Sequence, residues 1–495
     1  MTDEGTTDDA SDRPTCRAAL KSGYHNGNMI RALPLCLFLA FACLQARPPV
    51  YVVLWFDTED YIEPASDDAA LRIATDLTAE GVQATFKVVG EKARVLESRG
   101  RRDVIEALSK HAIGYHSNWH SVHPTPSEYL EPLGFLEGVE EFGRREGPGV
   151  ADLKHIFGTQ PVCYGQPGSS WGPQSNPALR KLGIPVYLDE GEQVGLDEQP
   201  FWYGGMLHVF NMGRNTFRAD LNQGAEDKAA YKVFDAAVER LSAHGGGVIS
   251  IYYHPNEFVT TEFWDAVNFA RGANPDREAW VKPHRRTAEE SERCYGVLRH
   301  FVQHMKSQTG VRFVTAKDLT GIYRNAIPRS VDRKAIAGQL REKIIFADVQ
   351  GQTLSPADML VALLGLEPQV VDGPTAQGAT TYAKSSIPAA AFEKARLDAA
   401  DFVARTHRLP SEVFVGAETL SLADFAATLA GSVSNAGSTV PVVRGRIGFE
   451  PYFASDPRKP FTWPIHTEGF SGAHLLDLGR LQGWTLKPAK LAARP

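Results

Sequence analysis

Cysteine is scarce in this sequence. The 495 residues contain five: Cys16, Cys36, Cys43, Cys163 and Cys294. No two of them form the C-x-x-C pair of a thiolate zinc site, so a metal site built on cysteine is not expected. Removal of an N-terminal leader ending at residue 46 would leave only Cys163 and Cys294, which could form one disulfide or remain as two buried thiols.

An excess of basic charge is also missing. The net charge is -7, the pI is about 6.1, and no basic stripe with interleaved aromatics occurs. These features argue against a nucleic-acid partner. The chain is 43% hydrophobic and 22% charged, which is ordinary for a globular protein, and it is long enough for two or three domains.

The chain has no apolar run long enough for a comfortable membrane span. Residues 32–44 form an apolar stretch of 13 residues, whereas a spanning helix needs about 20. Arg31 precedes this stretch and the small residue Ala46 follows it, so residues 29–46 have the layout of a signal peptide. Pro34 argues against the alternative of a buried core helix.

This layout predicts an exported protein, periplasmic or extracellular, with a mature N-terminus near Arg47. A lipid anchor at Cys43 is the alternative. Residues 1–28 are polar and lack periodicity, so the true start is expected at Met29, and residues 1–28 are expected to be a mis-assigned start or disordered.

Acidic residues follow the first strongly apolar run of the mature chain. Residues 51–56 predict a strand buried on both faces, and Asp57, Glu59 and Asp60 come at its end. Active sites of parallel α/β barrels lie at such strand ends, and strand alternation places Asp57 and Glu59 on the same side. The alternative is that these acids cap a loop or the next helix.

The stretch HSNWH offers two candidate metal ligands, His116 and His120. A spacing of four residues is one helical turn, so both rings can face the same point. In a chain with 15 histidines a chance pair is the alternative.

Strand-like and helical segments alternate over about 280 residues, which predicts an α/β fold with a parallel barrel or sheet. Three predicted strands end at Asp57, His116 and His254. The later predicted strands are 84–89, 112–116, 161–165, 185–189, 206–212, 248–254 and 312–316, and the predicted helices include 67–80, 126–142, 228–243 and 287–308.

Four motifs and their order along the chain resemble those of the polysaccharide deacetylase superfamily, also called the carbohydrate esterase family of nodulation-factor deacetylases. They are FDTED, ATFKVVG, HSNWH, which matches H-[ST]-x-x-H, and ISIYYH, which ends at His254. The resemblance covers residues 48–325 and implies a distorted (β/α) barrel, usually with seven strands.

The resemblance implies a role for each matching residue. Asp57 would be the general base and His254 the general acid. Glu59, His116 and His120 would bind one divalent metal, expected to be Zn²⁺, with Asp60 as the rival carboxylate ligand.

One motif departs from the family pattern. The family usually has R-x-P near the middle of the barrel, but here the matching stretch is CYGQPGSSWGP, with Gly165 at the arginine position. Arg214 and Arg218 are candidates to replace the missing cation beside Asp57.

The same stretch supplies the expected substrate-binding residues Gln166, Pro167 and Trp171. Trp171 could stack on a sugar ring, or it could be an ordinary core aromatic.

The C-terminal third has a different pattern. Residues 354–366 and 420–432 repeat one arrangement, a serine with an aspartate three residues later and then an apolar helix. The repeat resembles the pseudomurein-binding repeat, so residues 335–495 are expected to form a smaller, mainly helical domain that binds cell wall. A packing domain without a ligand is the alternative, and the Gly/Pro-rich segment 433–495 has no assignment.

These observations predict an exported, metal-dependent hydrolase that removes N-acetyl groups from a cell-wall or extracellular polysaccharide. Its expected partner is an N-acetylated polysaccharide or peptidoglycan, with no nucleic acid and no stable transmembrane span. The alternatives are a catalytically weak or inactive carbohydrate-binding protein on the same barrel, or a hydrolase of a non-sugar C–N bond.

Overall fold

The computed structural model of the protein describes residues 47–492. The expectations for residues 1–28 and for the signal peptide at 29–46 concern residues outside this range. Within the described range, no helix combines the length and the apolar character that a membrane crossing requires.

Strands alternate with helices through the first two thirds of the chain, and shorter strands follow in the C-terminal third. They are β1 (Val50–Thr58), β2 (Thr85–Val88), β3 (Ala112–Tyr115), β4 (Cys163–Tyr164), β5 (Val186–Leu188), β6 (Phe201–Tyr203), β7 (Met206–Val209), β8 (Gly247–Tyr253), β9 (Val311–Val314), β10 (Ala347–Val349), β11 (Gln352–Leu354), β12 (Ser386–Pro388), β13 (Glu412–Val415), β14 (Glu418–Ser421), β15 (Thr439–Pro441) and β16 (Lys487–Pro488).

One large sheet has the strand order β16-β6-β7-β5-β4-β3-β2-β1-β8. Within this sheet β6 runs against the other strands, because it pairs antiparallel with both β7 and β16. Strand β9 pairs in parallel with the first half of β1. Strand β2 pairs with the second half of β1, so β9 and β2 lie one after the other along the same edge of β1. The sheet curls into a distorted barrel with eight strands that pair in parallel, which confirms the predicted α/β fold.

The helices are α1 (Ala65–Ala79), α2 (Gly90–Ser98), α3 (Arg102–Leu108), α4 (Pro126–Leu130), α5 (Phe135–Phe157), α6 (Ser175–Lys181), α7 (Lys228–Ala243), α8 (Trp264–Asn268), α9 (Ala288–Ser307), α10 (Ala316–Ile322), α11 (Arg333–Glu342), α12 (Pro356–Leu364), α13 (Ala389–Thr406), α14 (Leu422–Ser432) and α15 (Ala473–Gln482). The predicted helix 126–142 is two helices, α4 and α5, because the chain turns between them.

Strand β1 forms the centre of the barrel core. Every residue from Val52 to Thr58 is buried, and Phe56 stacks on Phe86 of β2. Burial of each large apolar side chain is worth about 1.5–3 kcal/mol. The acidic residues at the end of β1 therefore stand on a rigid support.

The C-terminal third contains α11 to α15, the hairpins β10–β11 and β13–β14, and the two-stranded sheet β12–β15. The hydroxyls of Ser355 and Ser421 accept hydrogen bonds from the amides of Asp358 and Asp424, so both predicted helix starts are confirmed. The region also reaches the barrel, because β16 pairs with β6 and extends the large sheet.

Candidate active site

The candidate catalytic residues lie together at the carboxyl ends of neighbouring strands. Asp57 and Glu59 come from the end of β1, His116 follows β3, and His254 follows β8. They line one cavity of about 320 Å³. The expectation that these residues meet is therefore matched by the geometry.

The two histidines of HSNWH converge, but through a loop and not through a helical turn. Ser117 and His120 both have positive φ, 65° and 57°, and the Ser117 hydroxyl accepts the His120 amide N–H at 3.0 Å. The His116 and His120 ring centroids are 5.0 Å apart. Positive φ is uncommon for such residues and is found at functional sites.

Glu59, His116 and His120 form a group whose ligand atoms all lie within 4.8 Å of one another. Glu59 Oε2 is 2.9 Å from His120 Nε2 and 3.5 Å from His116 Nε2. His116 Nδ1 donates to the Gly165 carbonyl at 3.0 Å, and since a carbonyl only accepts, the lone pair of this ring is on Nε2.

This donor set fits a divalent metal. His120 Nδ1 contacts the Ser121 hydroxyl at 2.6 Å, which leaves the buried Nε2 on the side of Glu59 Oε2, 2.9 Å away. Two imidazoles and one carboxylate are the protein ligands of many catalytic zinc sites, which leave a position open for water or substrate.

The pKa shifts of Glu59 and His116 favour the deprotonated forms that bind a metal, whereas the shift of His120 does not. Burial would raise the pKa of Glu59, but the adjacent imidazoles hold it well below its usual value. Burial lowers the pKa of His116, which favours the neutral ring that a metal binds. Burial also acts to lower the pKa of His120, but the Glu59 carboxylate raises it overall.

Asp60, the rival ligand, has a different task. Its Oδ1 atom accepts the backbone N–H groups of Ile62 and Glu63 at 2.9 and 3.0 Å, so it caps the turn after β1. Burial raises the pKa of Asp60 to about 6. The geometry favours Glu59 over Asp60 as the carboxylate ligand.

Trp264 supports the Glu59 carboxylate and was not found from the sequence. Its indole Nε1 donates to Glu59 Oε1 at 3.2 Å, 205 residues away along the chain. No local motif links these two residues, so this contact could not be predicted from the sequence.

Asp57 contacts a lysine and not an arginine. Its Oδ1 atom lies 2.9 Å from Lys87 Nζ. The same Nζ lies 2.5 Å from Asp189 Oδ2 and 3.9 Å from the centre of the Trp55 ring. Burial would lower the pKa of Lys87, but Asp189 and Asp57 raise it overall, so the lysine is a buried cation.

The two expected replacements for the missing arginine lie elsewhere. Arg214 pairs with Glu198, and Arg218 pairs with Glu257. The expectation that one of them stands beside Asp57 is wrong, because the sequence cannot show which cation the fold brings there. The available signal was Lys87 itself, a single charge inside the apolar strand segment ATFKVV.

His254 is held in its protonated form. Its Nδ1 atom lies 3.0 Å from Glu257 Oε2, and Arg218 holds the same carboxylate at 2.7 Å. Burial would lower the pKa of His254, but Glu257 raises it to about 9. His254 Nε2 lies 3.6 Å from Asp57 Oδ2, so its N–H faces Asp57 and the cavity.

The three expected substrate-binding residues have different surroundings. Gln166 lines the cavity and accepts a hydrogen bond from the Tyr187 hydroxyl at 2.9 Å. The Pro167 carbonyl accepts the amide of Ser170. Trp171 is 1% exposed and packs in the core against Gly479, away from the residues that line the cavity.

A loop from the C-terminal third forms one wall of the cavity. Trp463 lies edge-on to His120 with ring centroids 5.2 Å apart, and its indole nitrogen donates to Asp265 at 2.9 Å. A Cβ on Gly168 would lie 2.1 Å from this indole, so the loop packs tightly on the stretch after Gly165. This contact joins distant segments and could not be predicted from the sequence.

Cys163 and Cys294 are both buried free thiols. The choice between one disulfide and two thiols is therefore resolved in favour of two thiols.

No family model and no curated protein matches the sequence, so the resemblance to the pseudomurein-binding repeat has no support from these comparisons. Solved structures do match. They include a putative polysaccharide deacetylase from Mycobacterium smegmatis, 14% identical, with 56% of this chain and 91% of that chain covered and a TM-score of 0.36.

A probable polysaccharide deacetylase from Pseudomonas aeruginosa PAO1 is 13% identical over 55% of this chain and 90% of its own, with a TM-score of 0.34. A Puue allantoinase is 14% identical over 55% of this chain and 91% of its own, with a TM-score of 0.35. Because these TM-scores lie below 0.5, the similarities carry no argument about function.

Proposed function

We propose that the protein is a metal-dependent hydrolase that removes N-acetyl groups from an extracellular or cell-wall polysaccharide. The observation that carries this proposal is the arrangement around one cavity of a metal-ligand group, a carboxylate base and a protonated imidazole. Metal-assisted amide hydrolysis uses these three functions together.

Glu59, His116 and His120 would hold one divalent ion, expected to be Zn²⁺. When bound, such an ion polarises the substrate carbonyl and lowers the pKa of water. The Gly165 carbonyl and the Trp264 indole orient His116 and Glu59 for this task.

Asp57 takes the proton of the attacking water, and His254 gives a proton to the departing amine. Lys87 engages Asp57 Oδ1, which leaves Oδ2 on the side of His254. The raised pKa of His254, about 9, keeps its proton available at neutral pH. The proposed acid therefore stands in the form that the reaction requires.

An N-acetylated polysaccharide or peptidoglycan is the proposed substrate. The motif resemblance over residues 48–325 supports it, and Tyr252, Phe263 and Trp463 line the cavity with aromatic faces suited to a pyranose ring. Of the expected substrate-binding residues, Gln166 is the proposed polar contact because it lines the cavity, whereas Pro167 and Trp171 do not.

Export through residues 29–46 and a wall-binding role for residues 335–495 complete the proposal. The wall-binding role is tested by expressing residues 335–495 alone and measuring retention on cell-wall preparations. Retention of a folded fragment supports the module, and a folded fragment that washes off supports a packing role.

The function is tested by metal analysis of purified protein together with acetate release from a panel of N-acetylated polymers. Wild type is expected to contain about one metal ion per chain and to release acetate, and His120→Ala is expected to lose both. His300→Ala, which alters a histidine on helix α9 outside the cavity, is the control.

Metal-loaded, folded wild type without turnover on any polymer would replace the enzyme with the carbohydrate-binding alternative. Turnover confined to non-sugar amides would favour a hydrolase of another C–N bond. A tight, stoichiometric ion in His120→Ala would mean that the ligand set is wrong.

A further inference from the structure

We propose that Lys87 is the positioning residue for Asp57 and that Gly165 is its matched partner, so that the cation beside the base comes from strand β2. This inference rests on the proposed function, because it takes Asp57 as the base. It concerns how this chain compensates for the absence of an arginine at position 165.

The sheet register places Lys87 beside Asp57. Lys87 on β2 is the direct partner of Asp57 on β1 and of Gly114 on β3. Neighbouring positions of parallel strands project to the same face. The lysine therefore enters the barrel beside the base, and its stem passes the face of Trp55.

Two glycines make the space for this side chain. A Cβ at Gly165 would lie 2.0 Å from Lys87 Nζ and 2.3 Å from Asp189 Oδ2, and a Cβ at Gly114 would lie 2.9 Å from Lys87 Cγ. Neither glycine has a positive φ, so the backbone does not require glycine at these positions. The space for Lys87 accounts for Gly165, where a side chain would displace the lysine, whereas Gly114 also makes room for Cys163 Sγ, 2.6 Å from its Cβ position.

The charges around Lys87 fix the orientation of Asp57. Asp189 anchors the lysine from the far side at 2.5 Å, and Asp189 Oδ1 is itself held by the Glu190 amide at 2.7 Å. Lys87 Nζ lies 2.9 Å from Asp57 Oδ1, and the other oxygen, Oδ2, lies 3.6 Å from His254 Nε2 at the cavity. The lysine side chain is wholly buried, so it acts through Asp57 and not on substrate.

Lys87→Met tests the charge with little change in volume. We expect kcat to fall by about 100-fold, as for a misplaced catalytic group, with KM changed by less than about 3-fold and with the metal retained. Lys487→Met is the matched control, since it removes another buried lysine that pairs with one carboxylate, Asp358, outside the cavity.

Charge relocation separates a positioning role from a merely structural one. A Cβ at Gly165 would also lie 2.7 Å from Lys87 Cδ, so an arginine at position 165 needs the space of the lysine side chain. The double variant Lys87→Ala/Gly165→Arg therefore moves the positive charge from position 87 to position 165. We expect the double variant to recover at least about 10-fold in kcat over Lys87→Ala. Gly165→Arg alone should lose stability in thermal unfolding, because Lys87 occupies the space.

Each result has one meaning. Turnover in wild type with unchanged kcat in folded Lys87→Met overturns this inference and leaves the proposed function standing. A folded double variant no faster than Lys87→Ala also overturns it. If the double variant does not fold, Lys87→Arg takes its place, and it must exceed Lys87→Met in kcat. Metal-loaded wild type without turnover overturns the proposed function and the role of Lys87 together.

Discussion

At the scale of single residues, the site depends on charges held in fixed protonation states by buried neighbours. His254 illustrates this, because Glu257 outweighs burial and raises the pKa of the imidazole to about 9. A general acid must be protonated to act, so activity is expected to fall as the pH rises through the pKa of His254.

Glu257→Gln removes the charge that raises this pKa. Without the carboxylate, the pKa of His254 falls, and the alkaline limb of the kcat–pH profile is expected to move to lower pH by about 1 unit or more. The profile is measured beside Glu292→Gln, which alters an exposed carboxylate paired with Arg72. An unchanged alkaline limb in Glu257→Gln would contradict the assignment of His254 as the acid.

Trp264→Phe removes the donor to Glu59 and keeps an aromatic ring in the core. The loss of such a support is expected to weaken metal binding by about 10–100-fold, measured by competition with a chelator. Trp280→Phe is the control, since its indole donates to the Pro275 carbonyl. Equal metal affinity in the two variants would mean that the Trp264 contact does not orient the ligand.

At the scale of elements, the strands were predictable and the short connecting pieces were not. Buried parallel strands give apolar runs, so all eight parallel strands were found, with a shift of a few residues at some ends. The 9-residue α2 and the 7-residue α3 have no capping side chain, and β6 has three residues, so their sequences carry little signal.

The same reasoning explains which site residues could be named. Asp57, His116 and His254 stand at the ends of strong strands, and a parallel sheet gathers such ends. Contacts such as Trp264 with Glu59 or Trp463 with His120 join distant segments, and only the folded arrangement creates them.

Strand packing around Lys87 is tested by Gly114→Ala. The added methyl would lie 2.6 Å from Cys163 Sγ and 2.9 Å from Lys87 Cγ. We expect a loss of about 1–3 kcal/mol in the free energy of unfolding, measured in denaturant. Gly143→Ala on helix α5, where no heavy atom lies within 4 Å, should instead be neutral or stabilising. Equal stabilities would contradict the packing account.

At the scale of the whole molecule, the C-terminal third is joined to the barrel at the site itself. Gln193 donates to the Pro460 carbonyl at 2.8 Å, and the Trp463 amide donates to the Ser169 hydroxyl at 3.0 Å. The loop that carries Trp463 therefore forms part of the cavity wall whatever else the C-terminal residues bind.

Trp463→Ala removes this wall and leaves the catalytic residues in place. We expect kcat/KM to fall by about 10-fold or more on a polymeric substrate, with metal content unchanged, because the aromatic surface for the sugar is lost. Phe414→Ala, which alters an exposed aromatic on a C-terminal hairpin, is the control. A Trp463→Ala variant with wild-type kcat/KM would assign the loop a packing role only.

The central claim is that Asp57 serves as the base beside a metal bound by Glu59, His116 and His120. The most direct measurement compares acetate release by metal-loaded wild type and metal-loaded Asp57→Asn on one N-acetylated polymer. The account predicts about one ion per chain in both proteins and a loss of at least about 100-fold in kcat for Asp57→Asn. Equal rates in the two metal-loaded proteins would contradict it.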